Sequence, residues 1–159
     1  EYKMAKTTFS GPVRSQRGFT AQGANAMVNI TAETTLTYDD HVGRIIKVND
    51  ADGAITLPTI STDTLGARYT FFVGTDCSDC DIKTDGTDKY VGSLEVVGDS
   101  NASSTFVPGA SNDVISMNGT TTGGDKGSYV EITAIEDNVY LVQGVLVGSG
   151  SAATPFADS

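Results

Sequence analysis

The stretch YVEITAIEDNVYLVQGVLV, residues 129–147, decides the fold class of this chain. Tyr129–Ile135 alternates apolar and polar residues, Glu136-Asp137-Asn138 supplies turn formers, and Val139–Val147 returns as a second strand. Side chains alternate across a strand with a period of 2. On the returning strand Val139, Leu141, Val145 and Val147 therefore share one face, and Tyr140, Val142 and Leu146 share the other. A strand that is apolar on both faces is covered on both sides. Two arrangements satisfy this: a central strand of a two-layer core, or a strand whose second face meets another subunit.

Working outward, the same short-strand grammar fills the chain from residue 33 onward. Further strands are expected at Thr34–Tyr38, Arg44–Asn49, Ala54–Leu57, Tyr69–Val73, Asp81–Thr84, Ser93–Val97, Thr105–Val107 and Val114–Met117. Between them lie Asp52-Gly53, Asp85-Gly86, Pro108-Gly109, Asn118-Gly119 and Gly123-Gly124. Gly, Asn and Asp among them reach the positive φ angles that tight turns require. The strong helix formers Leu, Lys, Glu and Arg are scarce. The expectation is an all-β protein: an antiparallel sandwich, jelly roll or small barrel. Residues 21–30 are ambiguous. Residues 148–159, small and polar except for Phe156, are expected to form a flexible or extended tail.

The charge is unevenly distributed. The 159-residue chain carries 10 basic and 20 acidic residues, a net charge of −10. Residues 1–20 hold Lys3, Lys6, Arg14 and Arg17 against Glu1, or +3, which leaves six basic and nineteen acidic groups, −13, for residues 21–159, of which 21–147 are expected to form the β-rich body. An acidic body repels phosphate, so neither nucleic acid nor an anionic membrane is an expected partner. Residues 1–20 show no sustained period of 2 or 3.6 and are punctuated by Gly11-Pro12 and Gly18. They read as an extended basic arm, with Phe9, Pro12, Val13, Arg14, Arg17 and Phe19 as its docking points.

No motif assembles into an active site, and the chain is expected not to be an enzyme. Cys77-Ser78-Asp79-Cys80 sits among Asp76, Asp79 and Asp81 on a loop between strands, where negative charge disfavours a thiolate. It reads as free thiols or a local disulfide. Asp81, Asp85 and Asp88 give a poor calcium loop, because position 3 is Lys83 and position 12 is Gly92. The sole histidine, His41, lies beside Asp39 and Asp40 with no nucleophile in register. No cofactor or metal is expected.

Three segments carry a family resemblance. MAKTTFSGPVRSQRGF (4–19), TLTYDDHVGRIIKVNDADGAITLPTI (35–60) with GARYTFFVGT (66–75), and DVISMNGTTTGGDKGSYVEITAIEDNVYLVQGVLVGSGSAATPF (113–156) resemble small structural proteins of tailed-bacteriophage virions. The resemblance is to head decoration (cement) proteins of marine podovirus type, and tail and head-fibre modules share the middle pattern. It implies a protein on the outer surface of the capsid that binds the major capsid protein and reinforces its contacts. It also implies a homo-oligomer, with a trimer favoured. A fibre or receptor-binding module that recognises host glycan is the alternative.

Overall fold

The computed structural model describes residues 11, 14–16 and 22–159. It is a two-sheet β structure whose helices are limited to one four-residue turn, α1 (Tyr38–His41), and three short 3-10 segments. The strands are β1 (Met27–Ile30), β2 (Thr34–Thr35), β3 (Ile45–Val48), β4 (Ala54–Thr56), β5 (Arg68–Val73) and β6 (Cys80–Lys83). They continue with β7 (Lys89–Val97), β8 (Ser103–Phe106), β9 (Val114–Met117), β10 (Tyr129–Glu136), β11 (Val139–Val147) and β12 (Phe156–Ala157). One sheet has seven strands in the order β1-β3-β5-β10-β11-β7-β8, and the other has five in the order β12-β9-β6-β4-β2. The all-β sandwich expected from the sequence is thus found. The sheets keep open edges, so it is not a closed barrel.

The pairing is mixed rather than antiparallel throughout. The first six strands alternate between the sheets, so β1, β3 and β5 run parallel in one while β2, β4 and β6 run parallel in the other. Parallel neighbours need a crossover connection, and here the crossover is a strand of the opposite sheet. Residues 27–83 therefore wind as a short three-coil solenoid. The second half closes it: β10 joins β5 and β9 joins β6, both antiparallel. The hairpin β10–β11 forms where the sequence places it, with a bulge between Ala134 and Glu136, and β11 then pairs in parallel with β7.

The strand expected at Thr34–Tyr38 stops after two residues. Thr37 then opens α1, where Asp39 and Asp40 occupy the first turn and the Thr37 N–H donates to His41 Nδ1 at 2.9 Å. Acidic residues favour a helix N-terminus, and this outweighs the strand propensity of the preceding threonines.

The core lies between the sheets. Ile46, Leu94, Ile132, Val142 and Leu146 of the seven-stranded sheet and Ile115 and Met117 of the five-stranded sheet are all 0% exposed. Tyr69, Tyr90 and Tyr140 are buried together, and Tyr140 lies 6.4 Å from Tyr69 and 6.5 Å from Tyr90 between ring centroids. Buried hydroxyls need partners. Tyr90 donates to the Ile82 carbonyl across the core at 3.1 Å, and Tyr140 donates to the Pro58 carbonyl at 2.6 Å. Desolvation raises the Tyr69 pKa to about 12.

Cys77 and Cys80 form a disulfide that is buried against the body. Residues 148–159 lie along the body: Phe156 is buried, β12 pairs antiparallel with β9, and the Asp113 N–H donates to the Ala157 carbonyl at 3.1 Å.

Candidate functional site

Of the arm residues singled out in the sequence, Arg14 is exposed. Phe9, Pro12, Val13, Arg17 and Phe19 lie outside the described residues. What the structure brings together instead is the outer face of the seven-stranded sheet.

Strand alternation and register lay this face out as rows. Along the first, Lys47 (β3), Phe72 (β5), Tyr129 (β10), Val145 (β11) and Glu95 (β7) stand side by side as register partners. The next row holds Met27, Ile45, Thr70, Glu131, Gln143 and Ser93. A third holds Arg68, Thr133, Leu141 and Val91. Six of the nine exposed large hydrophobic residues described are on this face: Met27, Ile45, Val91, Tyr129, Ile135 and Val145, each 39–46% exposed. Isolated exposed apolar residues are ordinary. Here Met27 stands beside Ile45, and Phe72, Tyr129 and Val145 stand side by side, with the polar row of Thr70, Glu131, Gln143 and Ser93 between them and Leu141 and Val91.

The polar groups on this face are largely satisfied by one another. Glu131 receives Arg68 Nε at 3.5 Å, the Gln143 amide at 3.1 Å and the Tyr129 hydroxyl at 3.4 Å. Within these three rows the charges are Lys47 and Arg68 against Glu95 and Glu131, a balanced set in a chain whose residues 21–159 carry −13; beyond them stand Glu136 and Lys89, the latter paired with Asp113. A shallow depression of about 320 Å³ at its centre is lined by Tyr129, Glu131, Gln143, Gly144 and Val145.

The sequence showed half of this. It placed Val139, Leu141, Val145 and Val147 on one face of β11 and left open whether that face is core or interface. The structure gives the core to Tyr140, Val142 and Leu146, and leaves Val145 39% exposed. Met27, Ile45 and Phe72 were not singled out. Their alternation is legible, but only the register aligns them with Tyr129.

A second depression, of about 290 Å³, lies at a loop end and is lined by Ile60, Ser61, Thr62, Leu65 and Asp137. The Ile60 N–H donates to Asp88 Oδ2 at 3.0 Å. Asp88 is fully buried and its Oδ1 has no partner among the described residues. Desolvation, with Asp85 and Asp137 nearby, raises its pKa despite the Ile60 hydrogen bond. Asp85 moves the other way. Burial raises it, but donors from Thr59 and from the Asp88 and Thr87 backbone outweigh that and lower it. Its oxygens close their own turn, with Oδ1 accepting from the N–H groups of Thr87 and Asp88. Asp81 stands on β6, facing outward from the five-stranded sheet. Among the described residues no three His, Cys, Asp or Glu side chains form a metal-binding group. His41, the last residue of α1, accepts the Thr37 N–H through Nδ1.

No family model, curated protein or solved structure matches the chain.

Proposed function

We propose that this chain is a structural virion protein that decorates the outside of a phage head and reinforces contacts between major capsid proteins. The observation that carries the reading is the outer face of the seven-stranded sheet. It is a broad, apolar, charge-balanced surface on a rigid two-sheet body, suited to being covered by protein. The sequence resemblance supplies the capsid as partner of the assembled protein, and the +3 segment at 1–20 supplies a cationic means of attaching to it. Many-copy binding on a shell turns modest single contacts into avidity.

The test is head decoration. Heads lacking the protein are mixed with the full chain and with a chain lacking residues 1–20, and occupancy is read by cryo-electron microscopy. The full chain decorates the head surface, whereas the truncated chain does not, although its melting curve is unchanged. Normal occupancy by the truncated chain overturns the role of the arm.

One observation favours a second reading, a fibre or tail module that recognises host glycan. The three-coil wind of β1–β6 is a geometry that extends by stacking further coils. Immunogold label on the tail rather than the head, together with glycan binding, selects it.

A further inference from the structure

We propose that the outer face of the seven-stranded sheet is where two copies of this chain pair, about a two-fold axis running along β10. Tyr129 lies at the centre, and Lys47 of each copy faces Glu95 of the other. This names the partner of the surface on which the structural reading above rests.

The register carries the argument. In the sheet order, Lys47 on β3 stands two strands from β10 on one side, and Glu95 on β7 stands two strands from it on the other. Both belong to the row centred on Tyr129, with Phe72 and Val145 between. A two-fold axis along β10 exchanges the two sides of the sheet while keeping position along the strand. Lys47 then meets the partner's Glu95, Phe72 meets the partner's Val145, and Tyr129 meets its own copy. An axis across the strands would stack Lys47 on Lys47 and Glu95 on Glu95, so charge selects the first arrangement. Lys47 and Glu95 make no ion pair with any described residue. Sheets packed face to face stand ~10 Å apart and within ~30° of alignment, a gap that a lysine and a glutamate bridge together.

The remaining charges oppose the pairing at one place, the end of β10, where Glu136, the register partner of Val139, meets its own copy. Glu131 meets its own copy across the axis, but it arrives already bound to Arg68, Gln143 and Tyr129. Elsewhere the acidic body repels a second copy, whereas the balanced rows of this face do not. The size is also adequate. At a ~3.3 Å rise and ~4.8 Å strand spacing the strand lengths that overlap across this axis project roughly 550 Å² outward. A stable interface buries about 800 Å² of accessible surface per partner, and accessible area exceeds projected area. A face that pairs with itself gives a closed pair, not the trimer implied by the resemblance.

The experiment measures the solution mass of the full chain by sedimentation equilibrium over a micromolar range. The wild type is expected at two chain masses. Lys47→Glu and Glu95→Lys should each raise the dissociation constant at least about ten-fold, because each sets like charges together twice per pair. The double variant carrying both changes should return to within a few-fold of wild type. Tyr129→Glu should give one chain mass, and all four variants should keep the wild-type melting midpoint when dilute. A wild type of one or three chain masses overturns the pairing, as does a double variant that fails to restore it. If the charge swap restores the pair but heads stay bare, only the decoration reading fails. If heads are decorated and the mass ignores Lys47 and Glu95, only the pairing fails.

Discussion

The two outer faces of this sandwich are built by the same rule and end with different chemistry. On the five-stranded sheet the outward positions hold Thr35, Thr56, Lys83 and Ala157 in one row and Ala54, Asp81 and Ser116 in the next. Val114 stands among them and is itself buried. On the seven-stranded sheet the equivalent rows set Phe72, Tyr129 and Val145 between Lys47 and Glu95, Met27 and Ile45 beside Thr70, Glu131, Gln143 and Ser93, and Leu141 and Val91 beside Arg68 and Thr133. Antiparallel and mixed sheets that meet water on one face usually read apolar-in, polar-out. The five-stranded sheet obeys, whereas the seven-stranded sheet mixes large apolar residues into its outward rows. Folding accounts for the inner faces of both sheets, and among the described residues nothing covers the apolar residues of this outer face.

The sharpest way to break this comparison uses neighbours on one strand. Leu146 is 0% exposed on β11, and Val145 beside it points outward at 39%. Leu146→Ala removes buried methyl groups and leaves a cavity, costing about 3 kcal/mol. Val145→Ala in dilute protein should cost under about 0.5 kcal/mol, the range of surface changes. Urea unfolding at low micromolar concentration measures both. Similar losses would mean that the outer face contributes to the fold of the single chain, and the contrast would collapse.

The sequence makes plain whatever depends on local alternation and turn chemistry. The hairpin at 129–147 and eight other strands sit within a few residues of their expected places, because Gly, Asn and Asp punctuate them. The winding of β1–β6 was not legible. Its coils differ in length: Met27 stands opposite Ile45, and Ile45 opposite Thr70. Unequal coils leave no repeat period to find. β1 was hidden in an ambiguous stretch because parallel register with β3, rather than its own composition, makes it a strand. β12 was hidden in a small polar tail in which Phe156 is the one apolar anchor. For the candidate surface, the doubly apolar β11 was visible, but which face was the core depends on the packing of Tyr140 against Tyr69 and Tyr90. The arm residues proposed for docking rest on charge and spacing alone.

A second prediction tests what holds the five-stranded side together. Gly124 has φ +108°, and a Cβ there would lie 2.8 Å from Met117 Cβ and 2.9 Å from Cys77 Cβ. The Gly124 carbonyl also accepts the Cys77 N–H at 2.9 Å. Gly124→Ala combines an unfavourable backbone conformation with a clash against buried side chains, at about 2–3 kcal/mol. Thermal melts with the disulfide intact measure the loss. On the outer face of the other sheet Ile45→Ala should leave the dilute melt within about 0.5 kcal/mol of wild type, which sharpens the division between residues that fold the chain and residues that cover it.

The smallest effect has a pH signature. Asp113 ties the tail to the five-stranded sheet: it accepts from Lys89 Nζ at 2.7 Å, from the Ser159 N–H at 2.8 Å and from the Ser159 hydroxyl at 3.1 Å. Burial alone would raise its pKa, but these donors prevail and hold it below the ordinary carboxylate value. A carboxylate with a depressed folded pKa contributes stability that is present above its unfolded pKa, about 3.9, and lost as pH falls through the folded value. Asp113→Asn keeps the shape but gives up the charge-assisted bonds, at about 1–2 kcal/mol near pH 7. The gap between wild type and variant should narrow as pH falls below about 4, because the protonated wild-type carboxyl offers Lys89 little more than an amide does. Asp88 has the opposite sign: its raised pKa makes its contribution favourable at low pH and lost as pH rises through the folded value. Asp88→Asn should therefore change stability least in acid and raise it at pH 7, where Asp113→Asn lowers it, so paired urea titrations at pH 3 and pH 7 separate the two by sign. Equal losses for Asp113→Asn at both pH values would show that its carboxyl holds the tail by shape alone.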